Sequence, residues 1–253
     1  MNKAILKYSL LLKLSQIGWF EVILLMLLFL GGLGAGMSKS GAQEMFDVFT
    51  HPAFLLILGW RFSRDIALNQ HSLKDGEYFS LLFTRPITRV SYVFTKALVT
   101  SLGCLIMVFA LLTIIFLGQL LGGAPHPKFP DGWQCLSLVA NSWSFSCLIM
   151  MLRVMPPKIG EWALLLCLMG AAGTAFSFGV KVDTPSQQAL LQSWEVASAI
   201  YHQLFFPAFD AQVVFERAPF SVVPIIAYVS NCLLYLLGAT LIINRREFSY
   251  AQD

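Results

Sequence analysis

Apolar residues along this chain fall into long runs separated by short polar stretches. A helix needs about 20 apolar residues to cross a bilayer. Six stretches meet or approach that length, at about 19–37, 46–68, 97–122, 133–152, 161–180 and 220–243. The second is short in apolar residues and carries Arg61, Arg64 and Asp65 toward its end. It reads as a helix that leaves the membrane near Trp60 and continues into water, where those charges cost little. Residues 1–18, with Lys3, Lys7 and Lys13, read as a weakly amphipathic helix on the membrane surface, its lysines meeting anionic headgroups. The alternative is an ordinary positively charged flank. A cleaved signal peptide fits less well, because the apolar run has the length of a span and no small-x-small site follows it.

Composition agrees with the pattern. Of 253 residues 57% are hydrophobic and 12% charged, with a mean hydropathy of +0.70. A soluble domain carries roughly a quarter of its residues as charges. The expected class is therefore an all-α integral membrane protein, a single transmembrane domain over residues 1–253.

The position of the charges orients the six spans. With the N-terminus inside, 13 of the 17 Lys and Arg residues fall on the cytoplasmic side. Only Lys39, Lys128, Lys181 and Arg217 fall outside. Short cytoplasmic loops collect Lys and Arg, so both termini are expected in the cytoplasm, with the chain in the plasma (inner) membrane.

Several chemistries find no footing in the sequence. No GxxxxGK[ST] phosphate loop, HExxH or GxSxG occurs. GGLGAG at 31–36 lies at the end of a span, not between a strand and a helix. Gly32/Gly36 and Gly118/Gly122 have the GxxxG spacing that lets helices approach closely in lipid. His51, His71, His126 and His202 are scattered, and the five cysteines, Cys104, Cys135, Cys147, Cys167 and Cys232, read as small apolar packing residues. No catalytic, metal or cofactor site is expected, and no nucleic-acid partner. Glu21 and Glu161 sit near cytoplasmic span ends, so no acid lies near a midplane as ion-coupled carriers require. The fourth span has a polar side of Asn141, Ser142, Ser144 and Ser146, and Gln119 and Asn231 add isolated polar groups. Helix–helix hydrogen bonding is the favoured reading of that side; a candidate substrate path is the other.

One polar segment stands out between the second and third spans. KDGEYFSLLFTRPITR, residues 74–89, carries five charges and one proline. From Glu77 to Thr84 it can form a short helix with Tyr78, Leu81 and Leu82 on one face. Pro86 stops that helix and constrains Arg85. An apolar ridge with a charged rim is suited to docking; a solvated loop with a proline bend is the alternative. Outside the membrane, residues 181–219 form a long connection. Within it 189–206 is amphipathic at helical spacing, either lying on the outer surface or dipping back as a re-entrant helix.

The run LKDGEYFSLLFTRPITRVSYVFTKAL resembles a segment of the membrane subunits of type-2 ABC exporters. The matching positions are Asp75, Gly76, Leu81, Leu82, Thr84, Arg85, Pro86, Ile87, Thr88, Arg89 and Lys96, over about 25 residues. Glu77 stands where the family usually has Thr, and Phe79 or Ser80 where it has an acidic residue; the glycine-to-proline spacing is one residue longer. Six spans with an N-terminal surface helix and a long outer loop before the last are also similar. The resemblance implies that 72–92 contains a coupling helix docking into a separate ATP-hydrolysing subunit, through Asp75, Gly76, Glu77, Tyr78, Leu81, Leu82, Arg85, Pro86 and Arg89. Arg61, Arg64 and Asp65 would add contacts. This chain would then be a non-catalytic permease subunit, probing no ATP itself: ATP and Mg belong to the ABC ATPase subunits, and a second copy or a paralogous membrane subunit completes the pair. The resemblance leaves open a membrane subunit that acts on envelope machinery without moving a solute. A membrane-embedded assembly factor is the remaining class.

Overall fold

The computed structural model describes residues 48–49, 51–63, 88–123, 129–176, 209–216 and 222–250, with single helical positions at 26, 30, 31, 34, 192, 193 and 196. Among the described residues there is no strand. Among the described residues six helices carry the architecture: α1 Pro52–Phe62, α2 Arg89–Leu121, α3 Gly132–Val154, α4 Pro157–Phe176, α5 Ala211–Glu216 and α6 Val223–Tyr250. Three of them are long and apolar enough to cross a membrane: α2, α3 and the Val223–Arg245 part of α6. The first expected span and the N-terminal surface helix lie almost wholly outside the described residues.

Local chemistry sets the boundaries. The expected second span, 46–68, is broken at its start and ends early. His51 caps α1, its Nδ1 accepting the Ala53 N–H at 3.2 Å, and Pro52 takes the first helical position, where a missing N–H costs nothing. Ser63 closes the helix, its N–H returning to the Gly59 carbonyl at 2.9 Å. α2 begins at Arg89, earlier than the expected 97, because Thr88 supplies an N-cap to the Ser91 N–H. The end of the expected coupling segment is thus the first turn of α2. Gly118 and Gly122 mark the other end of α2, where the Gly122 N–H bonds the Gly118 carbonyl.

α3 matches its expected span closely. It starts with a capping box in which Asp131 accepts the Gln134 N–H at 2.7 Å and Gln134 Oε1 accepts the Asp131 N–H at 3.1 Å. It ends at Val154, since Met155 precedes Pro156 and is extended. The chain reverses there, and α4 starts at Pro157. Gly160 makes this tight turn possible: a Cβ on it would run into the Leu152 carbonyl oxygen. α6 runs on past the expected 243 to Tyr250, with no proline or glycine after Gly238 to stop it.

α3 is the centre of the bundle. It packs against α1, α2, α4, α5 and α6, and 56% of its most apolar window is buried against 17% for α6. The main core joins Leu55 and Leu56 of α1, Leu111 and Ile115 of α2, Phe145 and Ile149 of α3, and Tyr235 of α6. Cys147, Cys167 and Cys232 belong to it as well, and all five cysteines are free. α6 turns Val223, Ile226, Leu233, Leu237 and Leu241 outward. In water such a face would be a liability; a hydrocarbon solvent accepts it.

Candidate functional site

The packing brings the C-terminal ends of α1, α3 and α6 together with the N-terminal end of α2. Tyr92 and Val93 of α2, Met150 and Val154 of α3, and Ala239 and Ile243 of α6 form one cluster there. Every described Lys and Arg lies at or near this end, on α1, α2, α3, α4 and α6.

Residues 64–87 connect α1 to α2, so the chain leaves α1 and enters α2 at this basic end. Each junction is tied to another helix. At the first, Arg153 in the last turn of α3 lays its guanidinium over the Trp60 ring, 3.5 Å from the centroid. Its Nε donates to Ser63 Oγ at 3.0 Å and its Nη2 to the Trp60 carbonyl. Ser63 Oγ in turn donates to the same carbonyl at 2.9 Å. The last carbonyls of a helix lack intrahelical partners and carry its negative dipole end. A cation from α3 therefore caps α1. At the second end, Arg89 Nη1 donates to Asn244 Oδ1 on α6 at 2.8 Å. Lys96, about two turns further along α2, is buried with its Nζ 6.0 Å from the Tyr92 ring centroid.

Of the expected docking residues, Arg89 alone is described; Asp75, Gly76, Glu77, Tyr78, Leu81, Leu82, Arg85 and Pro86 lie outside the described residues.

The polar side of α3 joins helices and loops. Ser142 Oγ donates to the Ser101 carbonyl of α2 at 3.1 Å and lies 3.3 Å from Ser101 Oγ. Ser144 and Ser146 donate back to the Asn141 and Ser142 carbonyls of their own helix. Asn141 grips the backbone of Phe209 from both sides: Oδ1 accepts the Phe209 N–H at 2.7 Å and Nδ2 donates to its carbonyl at 3.3 Å. Higher on α3, Ser137 Oγ accepts the Ala211 N–H at 2.9 Å, and Trp133 stacks on Phe215. Tyr228 of α6 donates to the Ala140 carbonyl at 2.6 Å and packs on Phe209.

These contacts set a depth. Asn141 lies about 14 Å along α3 from its start, at 1.5 Å per residue. Where α3 crosses a bilayer, Phe209 lies beside its middle turns, and it is not helical. Irregular backbone is tolerated at such depth only when protein satisfies it. The Asn141 amide does so for Phe209. Of the amphipathic stretch 189–206, the described residues Gln192, Ser193 and Val196 are helical.

Sequence reasoning counted Arg153 only as a loop charge and missed its clamp on Trp60 and Ser63. An Arg in the last turn before a Pro-Pro pair was the available signal, but its partners lie 90 or more positions away. Among the described residues, no group of three or more His, Cys, Asp or Glu could hold a metal ion. No family model, curated protein or solved structure matches this chain.

Proposed function

We propose that this chain is the permease subunit of an ABC-type transporter of the exporter kind. It pairs with a second membrane subunit and is driven by separate ATPase subunits that dock on residues 72–92. In this reading the chain has six spans, both termini face the cytoplasm, and ATP with Mg is bound in the partner. The observation that supports it most is the anchoring of both ends of 64–87 at one basic end of the bundle, through Arg153 and Arg89. A segment held this way at its two roots passes a push on its middle to α1, α2, α3 and α6. Lys and Arg gathered at that end fit a cytoplasmic face.

A second reading is a membrane subunit that passes force to envelope machinery without moving a solute. It is favoured by the polar side of α3, whose Asn141, Ser142, Ser144 and Ser146 all bond within the protein.

The test is purification of the chain from its native cells in mild detergent, identifying what accompanies it. A soluble ATPase that co-purifies, and is lost when Leu81→Asp and Leu82→Asp are combined, supports the docking assignment. A chain that comes alone in several detergents, or an ATPase retained by the double variant, overturns it.

A further inference from the structure

We propose that Arg153 is a positioning residue that transmits displacement of the C-terminal end of α1 to α3, and through α3 to the Phe209–Glu216 element at the opposite end of the bundle. This rests on the reading of 72–92 as the docking segment.

The argument runs along one helix. At the basic end, Arg153 holds α1 immediately before residue 64, by two hydrogen bonds and a stacked ring. Ser63, which receives one of those bonds, is fully buried, so water does not compete for it. Charge-assisted bonds of a planar guanidinium resist sliding better than a single contact. α3 itself is stiff: Gly132 is its only glycine, at its first position, and it contains no proline. At the other end it holds Phe209 by both backbone groups through Asn141, and Ala211 through Ser137. Such bonds are costly to break inside hydrocarbon. A shift of α1 at its C-terminal end therefore carries α3, and α3 carries Phe209–Glu216 with it. On an axis of 1.5 Å per residue, Arg153 lies about 18 Å from Asn141 and about 24 Å from Ser137.

The test uses the full chain with its co-purified ATPase, reconstituted in lipid. Exposed Gln212 on α5 is replaced by cysteine in a Cys135→Ser background, which leaves the four buried cysteines. Labelling by a membrane-impermeant maleimide is timed with and without Mg-ATP and vanadate. With Arg153 present, the nucleotide state changes the labelling rate about fivefold or more, the low end of usual coupling between sites. Arg153→Met abolishes that difference while the ATPase still co-purifies, with the Tm lowered by the lost contacts; Arg153→Lys restores part of the nucleotide response. Should Arg153→Met fail to fold, Ser63→Ala combined with Trp60→Phe weakens the same clamp from the α1 side and gives the same loss. A full nucleotide response in Arg153→Met or in that double variant overturns the inference. So does a co-purifying ATPase with no response at Gln212→Cys when Arg153 is intact, which leaves the docking assignment standing. A chain that brings no ATPase at all overturns both.

Discussion

Arg89 Nη1 donates to Asn244 Oδ1 at 2.8 Å, across 155 positions of sequence. A cation at the first position of α2 faces the positive end of that helix dipole and gains nothing from it. Its stabilisation comes from α6. The bond fastens the point where the segment 64–87 re-enters the bundle, as Arg153 fastens the point where it leaves.

Loss of this bond should therefore be felt in stability. Arg89→Met and Asn244→Leu are each expected to cost about 1–3 kcal/mol, the range for a charge-assisted hydrogen bond or its orphaned partner. The double variant should cost less than the two single losses added, because both remove the same interaction. Thermal unfolding in detergent measures this. Additive losses would mean that the two side chains act independently.

The Asn141 amide is expected to matter more than its partial exposure implies. Asn141→Leu leaves the N–H and carbonyl of Phe209 without their partner, at about 1–3 kcal/mol for a buried group. The Tm should fall. Cysteine in place of Gln212 should also label faster, because the grip on Phe209–Glu216 is lost. Unchanged labelling would show that Ser137 and the Trp133–Phe215 stack hold the element without Asn141.

Two glycines should respond in opposite ways. At Gly160 an added Cβ meets the Leu152 carbonyl oxygen, part of a backbone that cannot rotate aside. Gly160→Ala should open the α3–α4 turn and cost about 1–3 kcal/mol, as overpacking does. At Gly132 a Cβ meets nothing within 4 Å, so Gly132→Ala should stay within about 0.5 kcal/mol of the parent. Paired Tm values decide it.

The capping box of α3 gives a further measurement. Asp131→Ala removes the acceptor of the Gln134 N–H and should cost about 0.5–2 kcal/mol. Asp131→Asn keeps an acceptor and should recover most of the loss. Equal losses for the two variants would assign the effect to the charge and not to the hydrogen bond.

The sequence by itself determined the helical class, the lengths of the apolar runs and the gathering of Lys and Arg. It also placed α3 to within two residues at each end. These are local properties: a membrane-crossing segment must satisfy its own backbone and be apolar over a set length, and both conditions can be read residue by residue. The tertiary structure decided that α3 sits at the centre of the described helices, because which helices touch depends on how all of them are placed. It also decided the partners of Arg89, Arg153 and Asn141. A side chain's hydrogen-bond partner depends on the rotation and depth of two helices relative to each other. Polar side chains such as Asn141 and Arg153 look alike in sequence whether they face lipid headgroups, a substrate or a neighbouring helix. Only the packing around α3 turned one toward the Phe209 backbone and the other onto the end of α1.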